Sequence, residues 1–474
     1  MNDEHLFKQL VELLAGYRAR EKQGPLAPVL EPQALSRLLE LDRPARGDWQ
    51  QILRWLEQYL DHSVKTGHPG FLNRMWSGAN LPSILAEMVT AVTNTSACTY
   101  EGAPVSTLME HYMLETMLEL AGFRDGEGQM TTGSSQGNLV AMLAARNEAL
   151  DGIKEGGLSG QKRLTAFVSA EAHYSLDKAA NVLGIGTRNL IKVPVDARGR
   201  MRMDALETAL VQAQAEGAVP FFVCVTLGTT VRGAYDPIGP AAELRERFGF
   251  WLHGDAAWGG AALLDDELRR RFLPDVDRLD SLTWDFHKMP GTHLMCNMLL
   301  FNGRSNAFRC ACSAGEHSYL FREEQETHAL DLGVGSLQCA RRVDSLKWFL
   351  DWKYYGREGL AARVRRYLEL AAHAEARVRR SPELELVAPR ESFNLCFRYR
   401  APPGEDPDRF NLALRHRLHR SGEALVGVGW VEGRLALRLI ITHPDFEAAD
   451  VDRFLERVIH HGRALAAESG VHSG

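Results

Sequence analysis

Between residues 164 and 301 the apolar positions come in short unbroken runs, separated by longer stretches of helical spacing. The runs at 164–169, 190–195, 220–227, 250–253 and 298–301 carry few polar breaks, which is the pattern of strands buried on both faces. The stretches 138–150, 175–183, 203–215 and 240–248 space their apolar residues three and four apart and predict the helices between those strands. Strand and helix in alternation predict an α/β domain with a mostly parallel sheet covered on both faces. Sheets of this kind bind ligands beyond the carboxyl ends of their strands. Ahead of this region Leu6, Leu10, Leu13 and Leu14, then Ile52, Trp55, Leu56 and Leu60, keep helical spacing, with Pro25, Pro28 and Pro32 breaking the interval. A helical arm so short has little core of its own and needs another surface to cover. Beyond the sheet region a long helix runs from 345 to about 380, broken near Gly356, before strands at 385–387, 395–399, 424–428 and 436–441. The expected organisation is an arm at 1–62, a large domain at 63–345 and a small α+β domain at 346–474. The Pro/Gly-rich piece 401–407 reads as a surface turn.

Composition narrows the class without adding chemistry. The chain has 474 residues, 45% apolar and 24% charged, which excludes a disordered chain, a collagen and a disulfide scaffold. Its net charge of -6 shows no basic surplus, so neither nucleic acid nor an anionic membrane is expected as a partner. No apolar run approaches the length needed to span a bilayer. The 7 cysteines form no CxxC pair, and Cys310 and Cys312 stand too close and too isolated for half a zinc site. No metal is expected. Scattered cysteines suit reduced thiols, and Met1-Asn2-Asp3-Glu4-His5 is no secretory leader, so the expected setting is the cytoplasm.

Five features carry candidate chemistry, each with a plainer reading beside it. The small, hydroxyl-bearing turn Gly133-Ser134-Ser135-Gln136-Gly137-Asn138 opens a helix and suits either a phosphate or an ordinary cap. No GxGxxG dinucleotide fingerprint accompanies it. In His253-Gly254-Asp255-Ala256-Ala257-Trp258-Gly259-Gly260 a strand ends in an acid followed by small residues; Asp255 pairs with a cationic ring nitrogen or caps a turn. Lys288, in Asp285-Phe286-His287-Lys288-Met289-Pro290-Gly291, is a surface charge or a desolvated Schiff-base amine. His173 follows the strand at 164–169, and Thr229-Thr230 follow the strand at 220–227; both are loop residues or ligand contacts. Taken in order along one alternating chain, phosphate turn, imidazole, strand-end acid and later lysine are the groups that hold pyridoxal 5′-phosphate.

These residues resemble the group II pyridoxal-phosphate amino-acid decarboxylases, and within them the glutamate and cysteine-sulfinate branch. The resemblance runs over residues 50–460. It is carried by His68-Pro69-Gly70-Phe71, by the segment from Asn94 and Thr95 to Thr99-Tyr100-Glu101-Gly102-Ala103-Pro104-Val105, and by Gly228-Thr229-Thr230-Val231 with Gly233-Ala234-Tyr235-Asp236-Pro237-Ile238. The Asp255 segment, His287-Lys288-Met289 and Gln338-Cys339 with Arg341, Val343 and Asp344 complete it. The resemblance implies a fold type I transferase of the aspartate aminotransferase kind, with a large mixed, mostly parallel sheet domain and a small α+β domain. It implies that Lys288 bonds the cofactor, that Asp255 pairs with its ring nitrogen and that His173 stacks on the ring. Ser134, Ser135 and His287 would contact the phosphate, with Thr230 and Ala257 near the ring. Arg438, which interrupts an apolar strand, would bind a substrate carboxylate. Tyr319, in Ser318-Tyr319-Leu320-Phe321 after the irregular, lid-like stretch 302–317, would protonate the α-carbon. The implied activity is decarboxylation of an L-amino acid, most readily an acidic one, to an amine and CO2 by a homodimer with its active site at the interface.

Two departures from that branch stand out. Asn73-Arg74 stands where Asn-Gln is usual, so Arg74 is either a rim charge or a second substrate cation that, beside Asn73, would favour a short or strongly anionic side chain. Met295-Cys296-Asn297 stands where Gln-Cys-Ser is usual. Aromatic amino-acid decarboxylation, another reaction on the same cofactor, and a binding protein without activity are the rival readings.

Overall fold

A computed structural model describes residues 3–27, 30–41, 47–304, 306–313, 319–321 and 326–471. Met1, Asn2 and Pro28, used in the reading above, lie outside the described residues. The strands in chain order are β1 (Phe71–Leu72), β2 (Glu127–Met130), β3 (Leu164–Ser169), β4 (Leu190–Val193), β5 (Val219–Thr226), β6 (Trp251–Asp255), β7 (Ser281–Asp285), β8 (Asn297–Phe301), β9 (Leu384–Leu386), β10 (Leu395–Tyr399), β11 (Leu425–Val431) and β12 (Arg434–Leu439). They fall into two compact units. One comprises Ala79–Glu369 and Pro389–Asn394; the other comprises Met1–Gly78, Leu370–Ala388 and Leu395–Gly474.

The first unit is built on a seven-stranded sheet of order β2-β8-β7-β6-β5-β3-β4. Strands β4, β3, β5, β6 and β7 are parallel, while β8 runs antiparallel to both β7 and β2. The sheet is therefore mixed and mostly parallel, as the alternating pattern implies. Its strands carry apolar side chains on both faces because helices cover both. The Ser134–Ala149 helix packs Val140, Ala141 and Ala145 into a core with Phe222, Leu299 and Phe301. Gly137 sets how close this helix comes: a Cβ there would lie 2.3 Å from Thr283 Oγ1 on β7. A side chain at 137 would lift the helix's first turn away from the end of β7.

Strand β7 is buried along its whole length yet breaks the apolar pattern with Ser281, Thr283 and Asp285. Those polar groups are satisfied inside: Trp251 Nε1 donates to Ser281 Oγ at 2.8 Å, and His253 Nδ1 lies 2.7 Å from the same oxygen. Strand β2, Glu-Gly-Gln-Met, is likewise too polar to read as a strand.

The second unit carries a five-stranded sheet of order β1-β11-β12-β10-β9. Only β1 pairs in parallel, Phe71 with Leu425 and Leu72 with Val426. That pairing draws residues 63–78 into the unit of the C-terminal strands. The expected boundary at 62/63 thus differs from the observed 78/79. The boundary expected at 345/346 is observed at 369/370, and Trp348 stacks on Phe286 of the large sheet unit at 4.1 Å and 11°. The helix Ser345–Arg380 is interrupted at Gly356, where φ is 65°.

Two helices present apolar stripes to the outside of their own unit. On Trp49–His62 the residues Trp49, Ile52, Leu56 and Tyr59 are exposed at helical spacing. On Leu81–Thr93 the same holds for Leu81, Leu85, Met88, Val89 and Val92. Stripes of this kind mark surfaces that something else covers. Among the described residues no helix is long and apolar enough to cross a membrane.

Candidate active site

The parallel strands bring their carboxyl ends to one edge of the large sheet. His173 lies in the turn after β3, Thr230 in the loop after β5, Asp255 at the last position of β6, and Lys288 in the turn after β7. The Ser134–Ala149 helix begins at the same edge, since the amide of its first residue meets Asp285 at the end of β7.

Asp255 is buried. Its Oδ1 accepts the amide of Ala257 at 3.1 Å, and its Oδ2 accepts the side-chain amide of Asn138 at 2.9 Å. Asn138 Nδ2 also donates to Ser175 Oγ at 2.9 Å, and Ser175 Oγ lies 2.9 Å from His173 Nδ1. An unbroken hydrogen-bond chain therefore runs from Asp255 to the imidazole of His173 and sets the plane of the ring. On its other side Asn138 Oδ1 lies 2.9 Å from His253 Nε2. Burial pushes His173 below the ordinary imidazole range despite the negative charge of Asp255. At neutral pH it is an uncharged flat ring, suited to lying on another ring. Ala256 and Ala257 are both buried, and their methyl side chains take little room beside the acid.

Lys288 Nζ sits 3.0 Å from Asp285 Oδ2, its side chain 19% exposed. Burial alone would raise Asp285, but the positive charges of Lys288 and His287 and the donated hydrogen bonds hold it below the ordinary carboxylate range. His287 Nδ1 is 2.8 Å from the carbonyl of Cys296, and burial pushes its pKa down. Ser134 is committed to Asp285 Oδ1 through its amide at 3.0 Å and its hydroxyl at 2.9 Å. Ser135, the next residue, is exposed at the start of the helix, where amides have no intrahelical acceptor. The loop holding Thr230 is fixed by Asn394, whose amide donates to the carbonyls of Thr230 at 3.2 Å and Val231 at 3.1 Å.

These groups fit pyridoxal 5′-phosphate in kind. A helix start suits a phosphate, a buried acid suits a ring nitrogen, a neutral imidazole suits a ring face, and a half-buried amine suits an aldehyde. Among the described residues no cluster of His, Cys, Asp and Glu could hold a metal ion.

Of the remaining expected residues, Asn73, Arg74 and Arg438 belong to the second unit and Tyr319 to the first. Arg438 is a buried member of β12, flanked in register by Gly427 and Cys396. A Cβ at 427 would lie 3.3 Å from Arg438 Nε and Nη2, so glycine leaves room for the guanidinium. Arg438 Nη2 donates to the carbonyl of Asn73 at 2.9 Å. Burial, and the nearby Arg74 guanidinium, push Arg438 below its ordinary value. Arg74 itself is exposed, and Asn73 Oδ1 is buried with no hydrogen-bond partner among the described residues. Tyr319 is 81% exposed. Residues 305 and 314–317 of the lid-like stretch, and Ser318 of the tyrosine motif, lie outside the described residues.

Sequence reasoning passed over Asn138, Ser175 and Asp285 as parts of the site. Asn138 left a signal, a polar residue on the apolar face of its helix. Asp285 left one in its spacing of three from Lys288.

The family model described as the pyridoxal-dependent decarboxylase conserved domain matches residues 32–400. The acidic amino acid decarboxylase GADL1 of Mus musculus is 37% identical over 448 residues, covering 92% of this chain and 81% of that one. The cysteine sulfinic acid decarboxylase of Mus musculus is 37% identical over 458 residues, covering 94% and 92%. The crystal structure of mouse CSAD superposes with a TM-score of 0.92 at 33% identity, covering 97% of this chain and 98% of that one.

Proposed function

The chain belongs to the pyridoxal-dependent decarboxylase family, and from that premise we propose that it removes CO2 from an acidic amino acid. The observation that carries the proposal is the convergence of His173, Asp255 and Lys288 at the edge of the sheet where the Ser134–Ala149 helix begins. The acidic side chain is supported by the names of the relatives and by the neighbouring guanidinium groups of Arg438 and Arg74.

When bound, pyridoxal 5′-phosphate takes up the electron pair left behind as the carboxyl group departs. In this reading Lys288 holds the cofactor through Nζ, and Asp255 keeps a proton on its ring nitrogen. His173 lies on the ring face and keeps water from it. Ser135 and His287 meet the phosphate, while Ser134, whose amide and hydroxyl are given to Asp285, holds the helix start in place; Thr230 and Ala257 lie beside the ring. Arg438 binds a substrate carboxylate, and Tyr319 passes a proton to the α-carbon.

Arg74 is the second cation for the substrate, with Asn73 holding the segment through its contact with Arg438. An Arg74→Gln protein is expected to lose about tenfold in kcat/KM for aspartate and cysteine sulfinate, more than for glutamate. Steady-state kinetics over those acids, cysteate and phosphonate analogues check it. An unchanged order of preference removes Arg74 from the substrate.

The exposed stripes on Trp49–His62 and Leu81–Thr93 support a homodimer, with the arm at 1–62 covering a second copy. The exposure of Tyr319 supports its service in the partner's site. A Tyr319→Phe protein is then expected to release aldehyde or stall in transamination. Mixing it with Lys288→Ala protein is expected to restore clean amine, because each hybrid dimer regains one complete site. Product analysis that finds clean amine from Tyr319→Phe alone, or no recovery on mixing, contradicts this arrangement. The cytoplasm is the proposed setting, supported by the scattered cysteines, which form no disulfide among the described residues. Fractionation that finds the protein secreted contradicts it.

The test of the function is direct. Substrate-dependent CO2 with an equal amount of the matching amine is the expected result, and amino-group transfer without CO2 overturns it.

A further inference from the structure

Asp285 has two oxygens with separate tasks. Oδ1 accepts three donors: the Ser134 amide at 3.0 Å, the Ser134 hydroxyl at 2.9 Å and Asn297 Nδ2 at 2.7 Å. That oxygen caps the positive end of the Ser134–Ala149 helix. Oδ2 faces Lys288 Nζ at 3.0 Å, while His287 Nε2 at 3.7 Å is too far for a hydrogen bond. Among the described residues no other donor reaches Oδ2. A cap needs one oxygen, so the second is left for the lysine.

The backbone between the two residues is held. Gly291 donates to the carbonyl of Lys288 at 3.0 Å, Thr292 to that of Phe286 at 3.1 Å, and Phe286 stacks on Trp348. The freedom that remains is in the Lys288 side chain, whose amine can leave Asp285 without the turn moving.

We propose that Asp285 is a positioning residue that parks the amine of Lys288 at the start of the Ser134–Ala149 helix whenever that amine is not bonded to the cofactor. The proposal rests on the reading of Lys288 as the cofactor lysine. Asp285 is 3% exposed, and its contact with Lys288 Nζ at 3.0 Å has to be broken before the amine reaches the cofactor. An ammonium has no free electron pair, so it gives up a proton before it attacks an aldehyde carbon. The same contact returns the amine to one place each time a substrate displaces it. Asp285 thereby slows capture of the cofactor and keeps the freed lysine ordered.

The test uses cofactor-free protein in five forms: the parent, Asp285→Asn, Lys288→Met, the double variant of these two, and Asn297→Ala. Lys288→Met strands a buried carboxylate and is expected to melt several degrees below the parent. Adding Asp285→Asn is expected to recover part of that loss. A double variant that melts no higher than Lys288→Met overturns the proposal and leaves Asp285 as a helix cap. Asparagine can still accept all three donors through Oδ1 but carries no charge. Asp285→Asn protein is therefore expected to take up pyridoxal 5′-phosphate about tenfold faster at neutral pH, read from the cofactor's absorbance. Uptake no faster than the parent's also overturns it. Asn297→Ala removes a donor to Oδ1 and leaves the charge, so it is expected to lower the melting temperature without speeding uptake; faster uptake there overturns the assignment to charge. Borohydride reduction of loaded parent protein, followed by peptide mass analysis, tests the underlying reading separately. Cofactor mass away from Lys288 defeats that reading, while the melting cycle still reports on the ion pair.

Discussion

Replacing Lys288 with alanine is expected to lower kcat for decarboxylation by about 10⁴-fold or more, the scale seen when a covalent catalytic group is removed. The effect is large because three tasks end at once. The cofactor loses its bond to the protein, the substrate loses the leaving amine it exchanges with, and Asp285 loses the charge that faces its Oδ2 at 3.0 Å. The absorption band of covalently held cofactor is expected to vanish as well. Spectra and turnover on the same preparation check both. Retained turnover, or an unchanged band, would mean that another residue holds the cofactor.

The second large effect is expected at Asp255. An Asp255→Asn protein keeps nearly the same shape but cannot hold a proton on a ring nitrogen by charge. A fall in kcat of about 10³-fold is expected, comparable to removing one preorganised electrostatic partner from a closed site. The substitution also sets two amides against each other. Asn138 Nδ2 donates to Asp255 Oδ2 at 2.9 Å, and the Ala257 amide donates to Oδ1 at 3.1 Å. Asparagine can accept one of these donors, not both. The chain through Ser175 to His173 then loses its anchor, so cofactor affinity is expected to fall with kcat. Equilibrium binding of pyridoxal 5′-phosphate and steady-state rates separate the two losses. A variant with kcat within a few-fold of the parent would remove Asp255 from the ring nitrogen.

The fold was most legible where burial and periodicity coincide. Strands β3 and β10 and the Met203–Ala215 helix have the bounds that their spacing predicts, because each carries an apolar run or stripe with few polar breaks. Gly356 breaks the Ser345–Arg380 helix as expected, since a positive φ there favours glycine. Strand β7 was hidden by Ser281, Thr283 and Asp285, whose polar groups are paired by residues distant in sequence. Apolar pattern cannot foresee a hydrogen bond from Trp251 or a donor from Asn297. The placement of Phe71–Leu72 was hidden for a related reason: a two-residue strand has no period, and only its pairing with Leu425 and Val426 assigns it.

The site was legible in its titratable groups and not in what holds them. His173, Asp255 and Lys288 stand at strand ends, where an alternating fold gathers its chemistry. Asn138 and Ser175 join two of them, but each is an ordinary helix residue until the strands are brought together. Ser134 reads as a phosphate contact, yet its amide and hydroxyl are both given to Asp285. Helix-start amides beyond Ser134, with the exposed Ser135, are the part of that turn open to an anion.

The central claim is decarboxylation of an acidic amino acid by a site built on Lys288 and Asp255. The most direct measurement supplies purified, cofactor-loaded protein with aspartate, glutamate, cysteine sulfinate, cysteate, a phosphonate analogue and the aromatic amino acids, and quantifies CO2 and amine together. Equal amounts of CO2 and amine from one or more acidic substrates, with little from the aromatic ones, is the expected result. Turnover of aromatic amino acids ahead of every acidic one, or amino-group transfer without CO2, would contradict it.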